Sequence, residues 1–162
     1  MPTGIEPANG SHDIQPCYEV TEVVLRSLFD ALYNHNVMLE GTILKASMVV
    51  PGKDSGEQAS VDDVAENTLM CLKTAVPAIL PGIVFLSGGQ SDEDATAHLD
   101  AMNRMGPHPW PLSFSYGRAM QSAALKIWSQ DMVNNVARAQ AMVHERARDN
   151  GMAALGRWSK AA

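Results

Sequence analysis

Lys45 closes the run Leu39-Glu40-Gly41-Thr42-Ile43-Leu44-Lys45, so that one amine follows a mostly neutral, apolar stretch. A lysine in that setting either snorkels from a sheet edge or serves as a nucleophile. An amine attacks a carbonyl only when unprotonated, which requires burial or a neighbouring cation to lower its pKa. The low polarity of LEGTILK would supply part of that desolvation. The resulting iminium would act as an electron sink for cleavage of the adjacent carbon–carbon bond. Glu6, just before Pro7, would carry the protons needed to form and dehydrate the carbinolamine, or else is a solvated carboxylate. Ser87-Gly88-Gly89 offers a hydroxyl and exposed backbone N–H groups ahead of a helix, which suits an oxyanion or phosphate as well as a plain turn. Arg118, beside Gly117, could grip the same phosphate with two parallel hydrogen bonds, or simply open a helix.

The elements that must hold these groups alternate along the chain. A brief strand is predicted at Thr3–Glu6, stopped by Pro7. A helix follows over Tyr18–Asn34, with Val20, Val23, Val24, Leu28 and Leu32 as its apolar stripe. Val37–Lys45 reads as the second strand and Val50–Ala59 as a loop rich in Gly, Ser and charge. Ser60 opens a helix to Val76, with Asp63 completing a short capping box, and Pro77 and Pro81 break it. Ile83–Ser87 is the third strand. Ser91 then caps a helix to Met105, whose first turn Asp92-Glu93-Asp94 suits the helix dipole. Leu112–Tyr116 is the fourth strand, followed by helices over Ala119–Ser129 and Val133–Asn150, the last ending at Gly151.

Four strand-then-helix units predict an α/β fold with a parallel sheet covered by helices, in one domain over residues 1–162. Either a doubly wound sheet or part of a (β/α)8 barrel fits, and a whole barrel needs about 250 residues. No GxGxxG or GxxxxGK[ST] follows the first strand, which weakens the nucleotide-binding doubly wound option. Leu86–Gln90 spells LSGGQ, the signature of ABC-transporter ATPases, but the preceding strand GIVFL and the missing ATP-binding loop reject that match. The chemical groups instead fall at successive strand ends: Glu6; Lys45; Ser87 with Gly88 and Gly89; Ser115 with Gly117 and Arg118. Barrels of this kind build their active sites there.

Composition excludes several roles. A net charge of −6 argues against a nucleic-acid backbone or anionic membrane as main partner. No apolar run reaches the ~20 residues of a membrane span. The opening MPTGIEPANG lacks a signal pattern, so a cytoplasmic protein is expected. Cys17 and Cys71 form no CxxC pair and read as reduced, structural thiols. The five histidines miss the spacings zinc sites favour, so neither metal nor cofactor is expected.

LEGTILKASMV resembles the strand of class-I fructose-bisphosphate aldolases that carries the Schiff-base lysine. FLSGGQS and LSFSYGRAMQSAALKIW resemble that family's two phosphate-binding segments, in the right order, and IEP, the HD before the first helix and VTEVVL also fit. The resemblance implies the C-terminal half of a TIM (β/α)8 barrel. It implies that Lys45 forms the iminium with a ketose phosphate and that Glu6 assists carbinolamine chemistry. Ser87, Gly88, Gly117 and Arg118 would hold the phosphate beside the ketone, with Leu86 giving a backbone contact and Ser115 lining the site. The implied reaction is reversible cleavage of fructose 1,6-bisphosphate into dihydroxyacetone phosphate and glyceraldehyde 3-phosphate in glycolysis.

Three features depart from the family pattern. Four earlier strands, with an acid/base aspartate and tuning lysines, do not precede Glu6; Ala8 replaces the second glutamate of Glu-Pro-Glu; and no tyrosine-ended tail follows Trp158. A half-barrel also leaves parallel strand edges unpaired. Self-association, or complementation by an N-terminal half-barrel, is therefore expected, and a non-catalytic sugar-phosphate-binding or assembly module stands as the alternative to an active enzyme.

Overall fold

The computed structural model describes residues 10–56 and 58–160. The strand expected at Thr3–Glu6 lies outside the described residues. The first helix, α1 (Ile14–Asn34), leads through a single 3₁₀ turn at Leu39–Gly41 to β1 (Leu44–Ala46). Next come α2 (Val61–Ala75), β2 (Ile83–Phe85), α3 (Asp92–Arg104), β3 (Leu112–Phe114), α4 (Arg118–Gln130) and α5 (Val136–Ala153). The strands form one parallel sheet in the order β1-β2-β3, with Lys45 level with Val84 and Val84 level with Ser113. Parallel neighbours need a crossover, and α2 and α3 supply the two that this sheet requires.

Local chemistry explains most element starts. Ser60 accepts a hydrogen bond from the Asp63 N–H while the Asp63 carboxylate accepts from the Ser60 N–H, so the expected capping box forms at α2. Ser91 accepts from the Asp94 N–H at α3, where three acids occupy the first turn. Under the sheet, Ile83, Phe85, Met48, Leu72, Leu99 and Met102 are fully buried. The Val49 N–H, turned into this core, donates to the Thr68 hydroxyl at 2.9 Å and so escapes an unpaired burial. Cys17 and Cys71 are buried and unpaired with each other by disulfide. Burial raises the Cys17 thiol and pushes Cys71 to about 12, keeping both protonated and inert.

Four expectations need correction. The strand predicted over Val37–Lys45 is mostly not extended. The N–H of Gly41 and the hydroxyl of Thr42 both donate to the Met38 carbonyl, and that turn leaves only Leu44–Ala46 to pair. The apolar stripe read on α1 is only in part its core face: Leu32 packs against the core, but Val23 and Val24 are 59% and 58% exposed and the buried residues are Cys17, Leu25 and Phe29. Both rows have helical spacing, so periodicity alone could not choose between them. Gly151 does not end the last helix. The chain stays helical to Ala153 and turns at Gly156, where φ is +63° and a Cβ would lie 3.2 Å from the Asn103–Arg104 backbone. The start of α5 is also later than expected, because Asp131 accepts from the N–H groups of Val133 and Asn134 and holds that stretch in a separate turn.

Candidate active site

Parallel strands deliver their carboxyl ends to one edge of the sheet, and this edge collects the candidate groups. Lys45 is the middle residue of β1; its neighbours Leu44 and Ala46 are buried against the helices while Lys45 is exposed on the other face. The alternation is that of any strand. Leu39 and Leu44 turn into the core while Ile43 is itself exposed, so the apolar character of LEGTILK does not enclose the amine within this chain.

After β2 the chain turns at Ser87–Gln90, with the Gln90 N–H donating to the Ser87 carbonyl at 3.4 Å. Gly89 sits third in that turn at φ +82°, a conformation that side chains oppose. Ser87 is buried, and its hydroxyl accepts from the Ala119 N–H at 3.4 Å, so it faces the start of α4 and not the open sheet face. Gly88 lies against Arg118: a Cβ built on Gly88 would be 3.4 Å from Arg118 Nη2. The structure thus brings Ser87, Gly88 and Arg118 together from segments thirty residues apart in sequence. Gly117 caps α4 without a side-chain hydrogen bond of its own, so the oxygen in that first turn is the Ser87 hydroxyl, at 3.4 Å against 3.1 and 3.0 Å for Ser60 and Ser91 at α2 and α3. The Ala119 N–H is taken by Ser87 and the Met120 and Gln121 N–H groups by the Gly117 carbonyl, so what the junction offers an anion is the Arg118 N–H, the helix dipole and the guanidinium.

Two other candidates have their N–H groups already engaged in the sheet. Leu86 donates to the Ala46 carbonyl and Ser115 to the Phe85 carbonyl, at 3.0 and 2.8 Å. Those bonds fix the backbone from which the two loops depart. Glu6 lies outside the described residues. Among those residues, no group of three His, Cys, Asp or Glu side chains is placed to hold a metal, and no helix is long and apolar enough to cross a membrane.

Several supporting residues gave no signal in the sequence. The Nδ1–H of buried His98, two turns into α3, donates to Gln90 Oε1 at 2.6 Å and anchors the glycine turn from behind. Desolvation lowers the His98 pKa from 6.5 to about 4, with Asp94 partly opposing, so the ring is neutral. The Tyr116 hydroxyl donates to the Ala95 carbonyl at 2.7 Å, tying the loop after β3 to α3. Arg146 is buried beneath both helix starts. None of these pairs has a characteristic spacing; only the fold makes them neighbours.

The family model for class-I fructose-bisphosphate aldolase matches residues 5–162. The chain is 71% identical over 150 residues to the "Probable fructose-bisphosphate aldolase class 1" of Xylella fastidiosa, covering 93% of this chain and 45% of that protein. It is 52% identical over 157 residues to "Fructose-bisphosphate aldolase 1" of Toxoplasma gondii, covering 95% and 43% respectively. The fold superimposes on fructose-bisphosphate aldolase from Plasmodium falciparum, solved in complex with TRAP and a small-molecule inhibitor. The TM-score is 0.91 at 43% identity, over 95% of this chain and 44% of that one. The chain therefore spans less than half the length of these relatives, and the sheet described above is a section of their TIM barrel. With the lysine strand, the glycine turn and the Gly-Arg helix start all falling inside the matched region, the chain belongs to the class-I fructose-bisphosphate aldolase family.

Proposed function

We propose that this chain carries the Schiff-base lysine and one phosphate site of a fructose-1,6-bisphosphate aldolase. Lys45 Nζ attacks the C2 carbonyl of the ketose, and loss of water gives the iminium. Loss of the C4 hydroxyl proton to a base lets the C3–C4 bond break, its electron pair passing into the iminium, which releases glyceraldehyde 3-phosphate and leaves an enamine. Protonation and hydrolysis then free dihydroxyacetone phosphate and the amine. Glu6 assists the proton transfers of carbinolamine formation and dehydration. The C1 phosphate rests on the backbone at Gly88 and Gly117 and on the Arg118 guanidinium, with Ser87 fixing the loop, Leu86 at its root and Ser115 lining the approach. No cofactor takes part.

The observation that supports this most is the meeting of Arg118 with Gly88 at the glycine-capped N-terminus of α4, on the sheet edge that also holds Lys45. A second reading follows from the exposure of Lys45. In that reading the chain by itself binds the sugar phosphate without turning it over, and a second copy or a complementing N-terminal half-barrel supplies the water-excluding cover. Light scattering separates these states, and a monomer at micromolar concentration argues against self-association. The protein would act in the cytoplasm, as glycolytic chemistry requires.

The decisive test is trapping. The chain is incubated with dihydroxyacetone phosphate, reduced with borohydride and digested for mass spectrometry, in parallel with Lys45→Met. An adduct on Lys45 together with cleavage of fructose 1,6-bisphosphate supports the enzyme. An adduct without cleavage supports the second reading. Absence of any Lys45 adduct sinks both.

A further inference from the structure

Arg146 is the least expected residue in the molecule. It lies in the middle of α5, is 7% exposed, and none of its hydrogen bonds among the described residues goes to a carboxylate. A buried guanidinium stays charged and is costly to desolvate, so it persists only where its donors are well used. Its Nε–H donates to the Ala119 carbonyl at 2.9 Å, one residue past Arg118. Its Nη2 donates to the Asp92 carbonyl at 2.6 Å, in the first residue of α3, and to the Thr96 hydroxyl at 2.7 Å. Asn150, one turn further along α5, accepts from that hydroxyl at 2.8 Å and returns its own amide to the Arg146 carbonyl. One planar fork thus grips the starts of two different helices, and both starts follow a glycine segment of the anion site.

We propose that Arg146 is a positioning residue, the clamp that sets the separation between the Gly88–Gly89 turn before α3 and the Gly117–Arg118 start of α4. The inference rests on the reading of those two segments as one phosphate site. It goes beyond that reading by assigning a role to a residue that touches no substrate. Among the described residues, the other direct hydrogen bond between the two starts is a long one, from the Ala119 N–H to the Ser87 hydroxyl, with Tyr116 bracing α3 a turn deeper. A lysine at 146 keeps the charge but has one compact head in place of a rigid fork, so it cannot span the same three acceptors. Loss of the clamp lets the two segments drift, and a phosphate that must bridge them then binds less tightly. A ketone without a phosphate is indifferent to that spacing.

The experiment exploits this difference. Borohydride trapping on Lys45 is titrated with dihydroxyacetone phosphate and, separately, with dihydroxyacetone, for the wild-type chain and Arg146→Lys. The expected result is a rise of about tenfold in half-saturating dihydroxyacetone phosphate, the usual scale for losing a charged hydrogen-bonded grip. Dihydroxyacetone should shift less than twofold. Thr96→Val, which removes one acceptor and almost no volume, should move the phosphorylated ketone in the same direction by about threefold, and it carries the test if Arg146→Lys does not fold. Equal losses for both ketones make Arg146 merely structural and overturn the proposal, as does no change for either. A wild-type chain that traps dihydroxyacetone but shows no preference for its phosphate removes the phosphate site itself, and the clamp's role with it.

Discussion

Acidification should destabilise this fold through His98, and the size of the effect follows from its burial. The ring lies under the turn that carries Gly88 and Gly89, bonded to Gln90, and desolvation lowers its pKa from 6.5 to about 4. In the unfolded chain the same ring takes up a proton as pH falls through its ordinary value. Between those two values the unfolded state therefore binds more protons, and stability must fall as pH falls. It is fully present above about 6.5 and is lost progressively down to about 4. At about 1.4 kcal/mol per pKa unit the whole loss is about 3 kcal/mol, of which about 2 kcal/mol is gone by pH ~5. Asp63 and Asp131, whose carboxyls are held below the usual range by hydrogen bonds, add their own losses only lower in pH. The measurement is urea unfolding followed by helical circular dichroism at pH 7.5 and 5, for wild type and His98→Asn. Asparagine keeps a donor toward Gln90 and does not titrate. Wild type should lose about 2 kcal/mol more than the variant over this interval. Parallel losses in the two proteins would refute the assignment and leave the acid sensitivity to other groups.

Two further substitutions probe the sheet and the loop. Phe85→Ala empties a fully buried position on the central strand; it should cost about 3–5 kcal/mol, read as a lower urea midpoint at unchanged slope. Gly88→Ala places a methyl 3.0 Å from Leu86 Cδ1 and 3.4 Å from Arg118 Nη2. Both are ends of flexible side chains, so stability should drop by less than about 1 kcal/mol, while half-saturating dihydroxyacetone phosphate in the trapping assay rises several-fold because Arg118 is displaced.

What the sequence disclosed were the features written in short stretches of chain. SVDD and SDED are local capping signals, and both caps form. The strands starting at Ile83 and Leu112 were legible from their apolar runs, although they end at Phe85 and Phe114, two residues before the expected Ser87 and Tyr116. The 3₁₀ turn was not, since Leu39–Thr42 has the composition of a strand and turns only because Met38 gathers two local donors. The partly misread face of α1 has a similar cause. Val23, Val24 and Leu28 are as apolar as Leu25 and Phe29, and tertiary packing alone decided between them. Arg146 stands among Arg138 and Arg148 on the same helix, yet only Arg146 is buried. A buried clamp and two surface arginines share one letter, and the distinction exists only after α3, α4 and α5 have packed.

The three helix starts along the carboxyl edge connect these levels. Each follows a strand of the same parallel sheet, so each aims its positive end at the same side of the molecule. At α2 and α3 a serine oxygen occupies the first turn, and acids beside it already balance the dipole. At α4 the cap is Gly117, no acid lies in the first turn, the Ser87 hydroxyl reaches the Ala119 N–H only at 3.4 Å, and the next side chain is a guanidinium. A helix end left without its own acceptor costs stability unless water or a ligand completes it. Two of the three ends are capped by their own serine, and at the third, where Arg118 meets Gly88, the acceptor comes across from Ser87. Arg146 then fixes that junction from below. Of the three starts, α4 is the one with neither a first-turn acid nor a capping side chain of its own, which is the setting the proposed phosphate site needs.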